Sequence, residues 1–178
     1  MKKTLLLITL LFSSFLFSQN MFWYDVLLEV DSKDVATVAE LVDNYYSNHK
    51  KGVDVTVQFS SIPLKGSSEK ATHIISITSE SSKSLADFRN SLSGSDWDLY
   101  ISKMNNYVKS SRASAGKDLY SVGTDNSNPI GQAWVFKVAN SNLNTFVGAF
   151  SKLIKSINFE GSVGVGQIIH GTENAEST

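Results

Sequence analysis

The stretch from Phe22 to His49, FWYDVLLEVDSKDVATVAELVDNYYSNH, decides the fold. Its first nine residues, ending at Val30, are rich in aromatic and branched side chains, which is typical of a β-strand. Asp31-Ser32 then breaks the strand and offers a helix cap. Apolar residues follow at helical spacing, namely Val35, Val38, Val42 and Tyr45. The stretch therefore predicts a strand followed by a helix that ends near His49.

Two further strands are predicted next. Val53 to Phe59 alternates strictly between apolar and polar residues, as a half-buried strand does. After a loop that contains Pro63 and Gly66, the sequence from Thr72 to Ser79 has the composition of a third strand.

A helical region in two pieces and a last strand complete the pattern. The first piece is marked by Leu85, Phe88 and Leu92, and Asp96 is placed to cap the second. The apolar stripe of that second piece runs over Trp97, Tyr100, Ile101, Met104, Tyr107 and Val108. We expect a loop over 110–116 and a short strand over 119–122. The order β-α-β-β-α-β predicts the α+β class and a ferredoxin-like module, an antiparallel sheet with helices on one face.

The pattern starts again in the last third of the chain. Shifted by 108 residues, Val26–Val30 matches Trp134–Val138, and the helical positions of the first copy fall on Leu143, Phe146, Phe150 and Leu153. We therefore expect tandem modules: a first module over 19–123, a linker over 124–131, and an incomplete second module (β-α-β) over 132–178. Because Thr178 falls opposite His73, we expect a fragment of a longer reading frame. The alternative is that a partner chain supplies the missing strands.

The first twenty residues, MKKTLLLITLLFSSFLFSQN, predict a destination. Two lysines, an apolar stretch and a small residue at Ser18 form the pattern of a secretory signal peptide over 1–18. The apolar stretch is shorter than the roughly 20 residues that span a bilayer, so we expect no membrane span in the mature form. The sequence therefore predicts an exported protein, periplasmic or extracellular.

Composition excludes several classes of protein. The chain contains no cysteine, which rules out disulfide scaffolds, thiolate metal sites and cysteine nucleophiles. The formal net charge of −1 argues against a nucleic-acid partner, which would require clustered Lys and Arg. With 42% hydrophobic residues the chain can build a packed core.

The tandem modules, together with the helix segment Trp97-Asp98-Leu99-Tyr100, resemble the dimeric α/β-barrel superfamily, which includes the antibiotic-biosynthesis-type monooxygenases. The resemblance implies that two modules pack sheet against sheet, within one chain as a pseudo-dimer or between chains as a homo-oligomer. It implies little about activity, because this fold hosts oxygenases, decolorising enzymes and binding proteins. Haem-degrading members use an Asn and an axial His, and no residue here matches either role.

One face of the first strand is the candidate ligand-binding site. Trp23, Asp25, Leu27 and Glu29 share that face because strand side chains alternate. The functional interpretation is a polar cavity in which Asp25 or Glu29 acts as a base or anchor and Trp23 stacks on a small-molecule ligand. The alternative is an ordinary polar surface or interface, in which Glu29 meets Lys137, its counterpart in the second copy.

Other candidate sites are weak. His49, His73 and His170 lack partners at ligand spacing, so we expect no metal, and we expect no other cofactor. His170 is expected in a turn. The glycines of 161–166 are interpreted as close backbone packing in a strand, and Trp97 and Trp134 as core residues.

Two functions remain open. The first is a non-catalytic protein that binds a small ligand or another protein, and the second is a cofactor-independent oxygenase. A closed cavity holding Trp23, Asp25 and a histidine would favour the enzyme, whereas a flat open sheet would favour binding.

Overall fold

The structure is a computed structural model that describes residues 21–49, 54–123, 131–157 and 161–171. The predicted signal peptide, most of the predicted linker and residues 172–178 lie outside the described residues. The described residues form two compact units. The main unit comprises 21–119 and 165–171, and the second unit lies within 120–164.

Five strands and four helices make up the described chain. In chain order they are β1 (Phe22–Val30), α1 (Val35–Asn48), β2 (Val55–Ser61), β3 (His73–Ser79), α2 (Ser82–Ser91), α3 (Ser95–Met104), β4 (Val108–Val122), α4 (Leu143–Ser156) and β5 (Val163–His170). A short 3-10 helix, Asn140–Asn142, leads into α4.

The sheet has the strand order β2-β3-β1-β4-β5. β1 lies at its centre, where Val26 pairs with Ile75 on β3 and with Ala113 on β4, both antiparallel. A β-α-β-β-α-β chain with this strand order is ferredoxin-like, so the predicted fold class is confirmed. β5 adds a fifth strand beside β4.

The core of the main unit lies between the sheet and helices α1 to α3. The even-numbered residues of β1 face it, as predicted, with Leu28 and Val30 buried. α1 and α3 meet through aromatic rings, since Tyr45 stacks on Tyr100 with their centroids 4.5 Å apart. The other buried apolar residues of this cluster are Val38, Val42, Tyr46, Val55, Ile75, Ile77, Phe88 and Met104. Trp97 packs against the cluster, as predicted.

The boundary between α3 and β4 differs from the prediction. The apolar stripe predicts a helix through Tyr107 and Val108, but α3 ends at Met104 and β4 begins at Val108. β4 then runs for 15 residues through 110–116, which had been predicted as a loop. Most of this stretch pairs with β1, and small residues such as Ser, Ala and Gly fit that ladder without having a strong strand signature of their own.

The second unit shows the tandem pattern only in part. α4 has the same 14-residue length as α1 and begins 108 positions later, and β5 begins 108 positions after β2. The predicted strand Trp134–Val138, however, is not a strand. The prediction of Trp134 as a core residue is also wrong, because 70% of it is exposed. A lone strand without neighbouring strands is not stable in water, which explains the difference.

Candidate interaction face

The side of the sheet opposite helices α1 to α3, here called the open face, carries the predicted site. Because β1 alternates, Trp23, Asp25 and Glu29 lie on this face together, with Leu27 between them. All four residues are half-buried. The sheet register adds their neighbours on β3 and β4, which are Ile74, Ser76, Thr78, Arg112, Ser114 and Gly116.

Trp23 packs against the sheet itself. It pairs with Gly116 on β4, and a Cβ atom built at Gly116 would lie 2.3 Å from Cζ2 of the indole. A Cβ atom built at Gly166 on β5 would lie 2.5 Å from Cη2. The indole therefore occupies the space that side chains on β4 and β5 would fill. The close backbone packing predicted for the glycines of 161–166 is seen at Gly166.

Asp25 lies at the middle of the open face. It pairs with Ser76 on β3 and with Ser114 on β4, so hydroxyl groups flank the carboxylate on both sides. Burial raises the pKa of Asp25 above its ordinary value, and the hydrogen bond to Ser76 opposes that shift. Asp25 is thus a desolvated carboxyl group flanked by hydroxyl groups.

Glu29 lines a small cavity four residues further along β1. Its Oε2 accepts a hydrogen bond of 2.7 Å from the Ser110 hydroxyl. The cavity has a volume of about 140 Å³ and is lined by Leu27, Glu29, Ala71, Ser110, Ser111 and Arg112. Trp23 and Asp25 are not among the lining residues, so this cavity does not unite the three predicted ligand-binding residues.

An ion pair beside this cavity was missed by the sequence analysis. Arg112 donates to Glu69 Oε2, and the backbone N–H of Ala71 donates to Glu69 Oε1 at 2.6 Å. Burial alone would raise the pKa of Glu69, but the hydrogen bonds from Arg112 and Ala71 hold it below its ordinary value. Arg112 falls in the segment predicted as a loop, and only the alternation of β4 could have placed it on the open face.

The histidines have structural surroundings. His73 is buried on the helix side of the sheet, where it stacks on Phe59 with their centroids 5.1 Å apart. His49 follows α1 and bonds to the Ser91 hydroxyl at 2.8 Å. His170 ends β5 instead of lying in the predicted turn. In the described ranges, no group of three or more His, Asp or Glu side chains is placed to hold a metal ion.

The described part of the chain contains no helix with both the length and the apolar character needed to cross a membrane.

Comparisons with known proteins found similarity at the level of structure only. No family model matches the chain, and no curated protein matches it. The solved structures that are similar to part of it include the following three. A hydroxynitrile lyase from Passiflora edulis is 12% identical with a TM-score of 0.41, over 53% of this chain and 90% of its own. A dimeric ferredoxin-like protein of unknown function from Thermobifida fusca is 8% identical with a TM-score of 0.39, over 54% and 89%. SnoaB, a cofactor-independent oxygenase from Streptomyces nogalater, is 9% identical with a TM-score of 0.34, over 54% and 88%.

These structures include a dimeric ferredoxin-like protein and an oxygenase, the kinds of protein that the sequence resembles. With TM-scores below 0.5 and identities of 12% or less, the similarity carries no information about activity. The fold assignment rests on the strand order and register of this chain.

Proposed function

We propose that this is an exported, non-catalytic interaction protein that binds a second copy of itself through the open face. The observation that supports this most directly is the sheet, which buries one face under helices and leaves the other half-exposed. Leu27 and Ile74 pair on that face and add apolar surface beside its hydroxyl groups. Two such faces can pack together as sheets do in a sandwich, about 10 Å apart.

The cavity beside Glu29 is small for a site of small-molecule catalysis. Sites for drug-sized ligands usually measure roughly 300–1,000 Å³, whereas the cavity beside Glu29 measures about 140 Å³. Among the described cavity-lining residues there is no histidine and neither Trp23 nor Asp25. The enclosed site that an oxygenase would need is therefore not found there, and an interaction surface is the better-supported function.

Sedimentation velocity tests self-association over a range of concentrations. We expect the wild-type chain to form a dimer and Leu27→Lys to remain a monomer, because the variant places a charge in the middle of the buried face. Leu99→Lys is the matched control, since Leu99 is exposed on α3 at the helix side and its replacement should leave the dimer intact. A monomeric wild type, or equal effects of the two variants, would reject the proposal. Circular dichroism confirms that both variants fold.

Export is tested separately by N-terminal sequencing of the protein recovered from the expressing cells. The proposal expects a mature chain that begins just after Ser18, in the periplasmic or extracellular fraction. Intact Met1 in the cytoplasm would reject export.

A further inference from the structure

The second unit presents an exposed apolar patch, defined here as Trp134, Val135, Phe136, Leu153 and Ile157. Their exposed fractions are 70%, 80%, 61%, 57% and 48%. Single exposed apolar residues are common on protein surfaces, but three in succession along the chain are not. The patch therefore requires an explanation other than ordinary surface composition.

The patch is already partly organised. Phe136 contacts Phe146 of α4, with ring centroids 5.6 Å apart. The stretch 131–139 nevertheless forms no strand ladder with any described residue. Phe136 is thus anchored on a helix, while the backbone of this stretch has no sheet partner in the described part of the chain.

The main unit shows what such a segment looks like when it is covered. The positions 108 residues earlier than Phe136 and Phe146 are Leu28 and Val38, which are 3% and 0% exposed. Leu28 belongs to β1, which has a strand on each side. Trp134–Val138, 108 positions after Val26–Val30, has no neighbouring strand among the described residues.

The charged residues of the described range 131–157, which contains the patch, are all positive. Lys137 lies in the segment, and Lys152 and Lys155 lie on α4. Over the described residues 131–157 there is no Asp or Glu. A partner with acidic residues would therefore match both the apolar surface and its charged rim.

We infer that the patch is a docking site for a β-strand from another polypeptide, one that carries alternating apolar residues and acidic flanks. The strand would add to Trp134–Val138 and supply the missing ladder, a known mode of peptide recognition. This inference rests on the proposed role as an interaction protein. A second copy of the chain is the poorer match. The acidic residue beside its outer strand β2 is Asp54, which already accepts a hydrogen bond from the Ser79 hydroxyl. Its other outer strand, β5, carries Gly164 and Gly166 in place of larger side chains.

A synthetic peptide can serve as the probe. Its centre is the sequence of residues 72–79, THIISITS, which includes the strand that pairs with β1 in the main unit. One version carries two Glu residues at each end, and the matched control carries two Lys residues instead. Using fluorescence anisotropy of the labelled peptides with the full chain, we expect saturable binding of the acidic version at least tenfold tighter than that of the basic version. Added salt should reduce the difference in affinity between the acidic and the basic peptide, because salt screens charge interactions.

Proline variants locate the binding. Trp134→Pro/Val135→Pro removes two backbone donors from the segment without breaking an existing ladder, and we expect at least a tenfold loss of affinity. Gly131→Pro/Gln132→Pro, placed outside the apolar run, is the control and should bind as the wild type does. No saturable binding, equal binding of both peptides, or equal effects of both proline pairs would overturn the inference.

The two proposals fail independently. Leu27→Lys changes the open face and should leave peptide binding unchanged, whatever it does to self-association. If Trp134→Pro/Val135→Pro instead abolishes self-association, the occupant of the patch is a second copy, and the inferred foreign strand is wrong.

Discussion

At the scale of single residues, Trp23 shows how a large side chain determines its neighbours. Its indole lies where β-carbons at Gly116 and Gly166 would be, so these two positions accept no larger residue unless the tryptophan moves. The glycines are therefore a consequence of packing and do not form a phosphate-binding loop.

Gly166→Ala tests this packing. The added methyl group would meet Cη2 and Cζ3 of Trp23 at 2.5 and 2.8 Å, and overpacking of this kind costs about 1–3 kcal/mol. Urea denaturation measures the loss. Gly66→Ala, with no atom within 4 Å of its new methyl group, is the control and should change stability little. When Trp23 is replaced by Leu, Gly166→Ala should lower the free energy of unfolding by less than it does in the wild type. An equal loss in the wild type and in Trp23→Leu would show that the indole does not cause it.

The raised pKa of Asp25 predicts that the free energy of unfolding depends on pH. Because burial raises its pKa in the folded state above the unfolded value of 3.8, the folded state binds more protons between those two values. Stability therefore falls as the pH rises through that window, and the cost is fully present above the folded pKa. Asp25→Asn removes this cost, so we expect it to be more stable than the wild type at pH 7, by about 0.5 kcal/mol or more.

The gain in the free energy of unfolding of Asp25→Asn over the wild type should become smaller as the pH falls toward 3.5. There Asp25 of the wild type becomes protonated in both the folded and the unfolded state. Urea denaturation at pH 7 and pH 3.5 measures it. Glu29→Gln, which replaces a half-buried carboxylate on the same strand, is the control. Lower stability of Asp25→Asn at pH 7 would mean that the carboxylate is stabilised by the flanking hydroxyl groups.

At the scale of elements, α2 depends on its cap. Ser81 precedes the helix with extended backbone, and its hydroxyl accepts a hydrogen bond from the Ser84 N–H at 3.2 Å. Loss of such a cap costs about 0.5–2 kcal/mol. We expect Ser81→Ala to lower the free energy of unfolding by that amount, measured in urea. Ser82→Ala is the control. Ser82 lies inside the helix and does not cap it, so its replacement should leave the free energy of unfolding unchanged or raise it slightly.

The elements that were predictable from the sequence are those whose local pattern agrees with their packing. β1 was predicted to the residue, and α1 within two residues, because alternation, a helix start and an apolar stripe coincide there. β4 was not predicted at its full length, because its Ser, Ala and Gly residues form a strand only when they pair with β1. Trp134–Val138 is the opposite case, a strong strand pattern without partners.

The candidate site was predictable in its face and not in its detail. Alternation alone places Trp23, Asp25 and Glu29 on one side of the sheet. Their neighbours depend on register, which brings Ser114 and Gly116 from a predicted loop beside them. The indole of Trp23 also lies over Gly166 on β5. This contact could not be predicted, because no local pattern reveals where β5 joins the sheet.

At the scale of the whole molecule, burial is distributed unequally. Most of the buried apolar residues belong to the main unit, whereas in the described part of the second unit Ile154 is the one that is buried. Stability in a protein varies locally with such burial. The second unit should therefore open more readily than the main unit.

The helices α1 and α4 allow a matched test, because both have 14 residues and begin 108 positions apart. α1 buries Val38, Val42 and Tyr46, whereas α4 buries only Ile154. Two additional buried side chains correspond to about 3–6 kcal/mol, an upper bound because unfolded chains retain some burial. We expect amide hydrogen exchange in α4 to be at least about 100-fold faster than in α1, since 1.4 kcal/mol corresponds to a tenfold change. Equal protection would show that the second unit is stabilised by more than its own described contacts. Adding the acidic peptide should slow exchange in α4 selectively, because a docked strand covers the patch that leaves this helix exposed.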